Sequence, residues 1–456
     1  MIRSFRWSLT TLATAALLAA CNTAPVAPQA TLDVPVAYKE AAAAQSRWKT
    51  AVPAEAQPRG EWWRAFGDTQ LNALQAQAES GNPGLAAAAA RVKAARALLG
   101  SAEADRSLQL NAQAGVTRQK LSAVEAGVAE GTRVPPVTAW QLGVGASYEV
   151  DLFQRVANGV RAAEADAQAS EATMRSVRLA LQADVAQAYY QVRTLDAVAD
   201  LLNRTLSLRE QTLDLISKRY KAGDVSELDL ARAQADRAST RAELQAAQGE
   251  RRRAEQALAL LLGKTPSAFS LAAQPLAADR AVPQAPAGLP STLLERRPDV
   301  AAAQSRMMAA NARVGQARSA LFPALVLTAQ GGQASSELSD LFTMSARSWL
   351  VSAVLNLPII DGGRNRAAIT RAEAALDESV ADYRQSVLQA FGDVEGQLSG
   401  LLEALVTLQQ FQRMGPVVQQ LGMHEHRFVD PALGFQVLGG APVQLAQVLG
   451  QGREAF

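Results

Sequence analysis

Residues 140–150 read Trp140-Gln141-Leu142-Gly143-Val144-Gly145-Ala146-Ser147-Tyr148-Glu149-Val150, an alternation of apolar and polar positions without a break. A β-strand turns successive side chains to opposite faces. Trp140, Leu142, Val144, Ala146, Tyr148 and Val150 therefore share one face, and Gln141, Ser147 and Glu149 share the other. About eleven residues is the length of a transmembrane β-strand, so the first set is expected to face lipid and the second a lumen. Taken alone, the segment would equally suit an edge strand of a soluble sheet. Weaker candidate partners lie at 108–118, 323–333 and 347–357.

The strands fall inside a duplicated order. At an offset of 215, Pro83, Arg91, Gly100 and Leu110 fall on Pro298, Arg306, Gly315 and Leu325. At 209, Trp140, Glu164, Arg175 and Asp184 fall on Trp349, Glu373, Arg384 and Asp393. At 208, Arg219-Tyr220 falls on Arg427-Phe428. A period this long indicates duplication and pseudo-symmetry, not a solenoid. Each half opens with a helix, at Asn82-Pro83 and near Pro298-Asp299, where asparagine can cap and proline suits the first turn.

After the strands, residues 159–222 contain no proline. Val185, Val192, Ala199, Leu206, Leu213 and Tyr220 are spaced by seven, with Ala188, Leu195, Leu202 and Ile216 at the matching offset and Arg209 breaking that second row. Such heptads predict coiled-coil packing, in a helix of roughly 95 Å. It is expected to stop at Lys221-Ala222-Gly223. A returning helix starts at Ser226, with Asp229 placed for a capping box, and runs to Leu262.

Composition narrows the function. With 45 basic and 43 acidic residues, there is no electrostatic footprint for nucleic acid. Alanine richness and few aromatics suit long helices with small-residue seams. No phosphate loop, metalloprotease helix, cysteine pair or nucleophile motif occurs. His424 and His426 are two apart and would diverge on a helix, so neither catalysis nor a metal or other cofactor is expected. Arg251-Arg252-Arg253 reads as a solvated helix face, and Asp361-Gly362-Gly363 as a turn.

At the N-terminus, Arg3 and Arg6 precede an apolar stretch ending in Leu18-Ala19-Ala20-Cys21. That layout is a secretory signal, too short for a bilayer-spanning anchor. The tetrapeptide resembles the bacterial lipoprotein box, which implies acylation of Cys21, and Asn22 in place of aspartate points to the outer membrane. The expected organisation is signal 1–20, a lipidated Pro/Ala-rich tether 21–60, a first repeat 61–262, a Pro-rich linker 263–290, a second repeat 291–438, and an atypical end 439–456.

Together with these features, Trp62-Trp63-x-x-Phe66-x-Asp68-x-x-Leu71, the stretch Leu289-Pro290-Ser291-x-Leu293-Leu294-x-Arg296-Arg297-Pro298-Asp299-Val300, and Arg219-Tyr220-x-Ala222-Gly223 with Leu228-Asp229-Leu230 resemble the TolC-like outer-membrane efflux channels, in their lipoprotein branch (NodT/OprM type). The resemblance covers about residues 60–410. It implies an α+β membrane protein: long coiled helical hairpins forming a periplasmic α-barrel, plus a four-strand contribution to a trimeric transmembrane β-barrel. Four strands alone leave sheet edges that lipid does not tolerate, and a homotrimer pools them into an allowed even number. By the same resemblance, Arg219, Tyr220, Ala222, Gly223, Asp224 and Ser226 form a tip that meets a periplasmic adaptor (membrane fusion) protein of an inner-membrane RND-type pump. Arg427 and Phe428 are candidates for a second tip. The implied function is the exit duct of a tripartite efflux system for small amphiphilic compounds. Type I protein secretion or metal efflux would use the same fold, and a structural periplasmic coiled-coil lipoprotein is the reading from another class.

The chain departs from that pattern near Phe411. Gly415-Pro416 is expected to interrupt the descending helix, Asp430-Pro431 replaces Ala-Gly after the second tip, and Gly439-Gly440 and Pro442 break the returning limb. Residues 411–456 are therefore expected to be a disturbed end that impairs the channel.

Overall fold

The computed structural model describes residues 60–274 and 296–422. Cys21, the tether, linker residues 275–290 and the second-tip candidates Arg427 and Phe428 lie outside the described residues. In chain order the main elements are a 3-10 turn (Trp62–Phe66), α1 (Thr69–Gly81), α2 (Pro83–Ala104), β1 (Gln109–Gln119), β2 (Val137–Val150), α3 (Arg155–Lys221), α4 (Glu227–Leu261), α5 (Pro298–Ser319), β3 (Ala324–Ser335), β4 (Arg347–Asn356) and α6 (Arg364–Gly422). The order helix, strand pair, long helix occurs twice, α2-β1-β2-α3 and α5-β3-β4-α6, as the duplicated residues predict. All four expected strands are present.

The described chain divides into two compact units. One holds residues 92–169 and 303–383, and within it the strands form a single antiparallel sheet in the order β1-β2-β3-β4. Among the described residues, β1 and β4 each leave one edge without a partner. The helices join the sheet at one end only, before β1 and β3 and after β2 and β4, and the loops 120–136 and 336–346 close the other end.

The second unit carries the core beneath the Trp62-Trp63 motif. Asp68 caps α1 by accepting from the N–H groups of Gln70 (2.9 Å) and Leu71 (3.0 Å). This seats Leu71, Leu74 and Ala78 against Leu181, Val185, Tyr189 and Val192 of α3 and Leu258 of α4. Phe66 packs on Tyr190 with ring centroids 5.2 Å apart. Asn82 caps α2 through the N–H of Leu85 and donates to the Leu261 carbonyl, which ties α2 to the end of α4. Arg297, 5% exposed, is held by Asp299 and Asp393, so the Arg-Pro-Asp stretch that opens the second repeat is pinned to α6.

The heptad reading of the hairpin holds along its upper part. Val185, Val192 and Leu202 are buried, and Leu202 packs with Leu244 and Ala247 of α4. Arg209, which breaks the second row, reaches across to Asp236 at 3.1 Å.

Two expectations are corrected. Arg252 and Arg253 are exposed, but Arg251 is drawn inward by Asp196 (2.8 Å), Glu255 (2.8 Å) and the Leu271 carbonyl (2.6 Å). Its partners come from distant segments that local charge patterning does not reveal. The helix also continues through Gly415-Pro416 to Gly422. One proline costs about 3 kcal/mol, a local penalty within a helix of 59 residues.

Candidate channel wall and helical tip

The strand register sorts the sheet into two unlike faces, because directly paired residues point the same way. Trp140 pairs with Val116, Val144 with Ala112 and Gly331, Ala146 with Leu110 and Ala329, and Val150 with Leu325. Across β4 the same face continues through Trp349, Val351, Ala353 and Leu355. The opposite face carries Asn111, Gln113, Gln141, Ser147, Glu149 and Gln330, with Thr328 and Ser352 hydrogen-bonded at 2.5 Å, and also the apolar Val326, Leu350 and Val354. The six even-numbered residues of β2 thus lie on one apolar face, and Gln141, Ser147 and Glu149 on the polar one.

Glycines mark where the two faces of the sheet are tight and where they are open. On the polar face, a Cβ at Gly332 would lie 2.4 Å from the Leu142 carbonyl, and one at Gly145 would lie 2.5 Å from Asn111 Oδ1. On the apolar face, a Cβ at Gly331 would meet nothing within 4 Å. Gly115, also on the polar face, would meet nothing, so the crowding is local to the β2–β3 pairing and to the Asn111 side chain.

At the helical end of the sheet, a cavity of about 300 Å³ lies between the strand exits and the helix starts. Glu149 accepts from Arg155 Nε at 2.7 Å. Asp151 caps α3 through the N–H groups of Val156 and Ala157, which starts that helix before Gly159. Asp361 does the same for α6, accepting from Asn365 and Gly363, and these bonds hold its carboxyl below the usual range. Phe153 stacks on Phe322 with centroids 4.8 Å apart. Gln154 has φ +60°, the one non-glycine positive φ among the described residues, where the second repeat uses Gly362 and Gly363.

At the far end of α3, the N–H of Gly223 reaches the Tyr220 carbonyl and that of Asp224 reaches the Arg219 carbonyl at 2.9 Å. This is a Schellman stop, with Gly223 at φ +78°. Arg219 Nε donates to Asp224 at 3.0 Å. Ser226 and Asp229 complete the capping box, and hydrogen bonds from the Ser226 side chain and backbone lower the pKa of Asp229. Arg219, Tyr220, Ala222, Gly223, Asp224 and Ser226 are thereby gathered in one turn, all but Ser226 from the helix end and its stop.

Sequence reasoning missed a second row on α3. Leu201, Leu208 and Leu215, also spaced by seven, are 50%, 62% and 57% exposed. Their spacing was visible, but the adjacent Leu195-Leu202 row took the hairpin contact. The Glu149–Arg155 and Asp196–Arg251 pairs were missed because their partners are distant or straddle an element boundary.

The chain matches the outer membrane efflux protein family over residues 74–264 and 289–416. Outer membrane protein OprJ of Pseudomonas aeruginosa is 35% identical over 399 residues, 87% of this chain and 81% of that one. The probable outer membrane lipoprotein SilC of Salmonella typhimurium is 32% identical, covering 74% and 71% of the two chains. The cation efflux system protein CusC of Escherichia coli K12 is 33% identical, covering 74% and 72%. A solved structure of CusC, described with transmembrane channel formation, superposes with a TM-score of 0.76 at 27% identity, over 95% of this chain and 97% of that one. The two-faced sheet, the helical hairpin and these matches lead to one conclusion: the chain belongs to the outer membrane efflux protein family, as an efflux duct of the outer membrane and not an enzyme.

Proposed function

We propose that three copies of the chain close their sheets into one twelve-stranded barrel, β4 of each protomer pairing with β1 of the next, and that the helices line a periplasmic duct below it. The observation that carries this reading is the sheet itself, mostly apolar on one face and mostly polar on the other, with two open edges. Lipid tolerates no such edges, and closure removes both. The exposed Leu201-Leu208-Leu215 row then packs against a neighbouring protomer's helix. Acylated Cys21 adds a lipid anchor. The Gly223 turn docks a periplasmic adaptor, which couples the duct to an inner-membrane RND-type pump.

Small amphiphilic compounds are the cargo this wall suits. Its mostly polar face offers amides, hydroxyls and the Glu149 carboxylate beside the apolar Val326, Leu350 and Val354, and no methionine, cysteine or histidine in its strands. Metal efflux is the second reading, favoured by the likeness to the cation efflux protein CusC. Cysteine pairs between Ala114 of β1 and a series of positions along β4 test closure. Covalent trimers at one register are expected, and no cross-linked trimer at any register refutes it. Export assays with dyes and with copper separate the two cargoes.

A further inference from the structure

We propose that Arg118 and Arg347 bind phosphate groups of the glycolipid that forms the outer leaflet of the outer membrane, at the seam where two protomers meet. The inference rests on the reading that the sheet closes into a lipid-facing barrel.

Both arginines lie on the apolar face. Arg118 pairs with Thr138, one same-face step beyond the Val116–Trp140 pair. Arg347 pairs with Gln333, one same-face step beyond Trp349. Every other position of the four strands on this face, from Leu110 and Leu355 at the helical end to Thr138 and Ser335 at the loop end, is uncharged. Both arginines sit at the loop end of their strands, away from the helices, and therefore toward the cell exterior.

The row beneath them fixes their depth. Tryptophan marks the boundary between hydrocarbon and headgroups in outer-membrane barrels, and Trp349 is 82% exposed. A same-face step is about 7 Å along a strand, which lifts each guanidinium from the aromatic collar to headgroup level. Neither arginine has an ion pair or side-chain hydrogen bond among the described residues, and the acids nearest them in sequence, Glu125 and Asp340, pair with neither. Two exposed, unneutralised guanidinium groups at that depth match phosphate, which arginine binds through two parallel N–H donors.

The strands involved are the two edges, β1 and β4. Closure makes them neighbours, so one protomer's Arg118 and the next protomer's Arg347 flank one seam, and a lipid bridging them would fasten the joint.

The test uses the full-length trimer in phosphatidylcholine vesicles doped with lipid A or with lipid A stripped of its phosphates. The readout is lipid A retained per trimer, by mass spectrometry after mild solubilisation. Wild type is expected to retain the phosphorylated form about 30-fold better, which is about 2 kcal/mol for two basic residues at an anionic surface. In the R118Q/R347Q double variant the preference should fall toward unity with conductance steps unchanged, and R118K/R347K should keep part of it. Equal retention of both lipids by wild type, or an undiminished preference in R118Q/R347Q, overturns the proposal while leaving the barrel standing. Trimers that enter neither vesicle overturn the barrel reading and the proposal with it.

Discussion

If the apolar face meets lipid, as proposed, Val144→Arg places a charge in mid-membrane. Val144 is 57% exposed on the apolar face, between Ala112 of β1 and Gly331 of β3. β2 runs from Val137 to Val150, so Val144 stands near its middle. At about 3.4 Å per residue and a tilt of about 40° it lies roughly 16–18 Å from either strand end along the membrane normal, at the centre of an apolar band about 25 Å tall. Arginine at that depth costs about 2–4 kcal/mol, hence roughly 6–12 kcal/mol for three chains. Gln141→Arg is the control. Gln141 pairs with Gly115 and Ala334 on the opposite face, where a guanidinium stays in water. The assay is the fraction of SDS-resistant trimer in outer-membrane fractions, with drug export measured in the same cells. Val144→Arg should deplete trimers and export together, and Gln141→Arg should preserve trimers. Equal tolerance at both positions, or greater damage from Gln141→Arg, would refute the assignment of faces.

Three further outcomes are expected. Gln154→Gly relieves a left-handed backbone that costs a non-glycine residue about 1–2 kcal/mol, so the variant should show a higher thermal midpoint, measured by circular dichroism in detergent. Asp196→Ala removes the carboxylate partner of Arg193, 2% exposed, takes one of the partners of Arg251 and leaves the Gln274 N–H without its acceptor. A loss of about 3–5 kcal/mol is expected, seen as a lower urea midpoint and faster proteolysis. Tyr189 donates to Asp68 at 2.7 Å, and burial foremost raises its pKa above the ordinary tyrosine range. The folded state thus holds that proton more tightly, so its contribution is present below about pH 10 and lost as pH rises through the folded value. Tyr189→Phe should flatten that alkaline decline in thermal midpoint.

The features legible in the sequence are those written in local periodicity or in turn chemistry. Alternation at Trp140–Val150 marked both the strand and its two faces, and Gly223 with Ser226 and Asp229 marked the hairpin turn. What was hidden depends on partners far along the chain. Arg251 lies between two exposed arginines and differs from them only because Asp196 and Leu271 reach it. Gly332 is one of many glycines until the register sets it against Gly143. Arg118 and Arg347 are ordinary surface arginines until pairing puts both on the apolar face. The interruption expected at Gly415-Pro416 did not appear, because a proline's local cost does not outweigh a long helix around it.

The account stands most directly on which face of β2 lines the water-filled path. Purified trimers of the Gln141→Cys and Val144→Cys variants, recorded in planar bilayers, can be treated with a charged, water-soluble thiol reagent. Cys21 is the chain's only native cysteine, and its acylation would leave the introduced thiol as the sole target. Discrete conductance steps that shrink on labelling at position 141 and stay unchanged at 144 are predicted. Trimers that insert without conducting, or steps that shrink at 144 and not at 141, would contradict it.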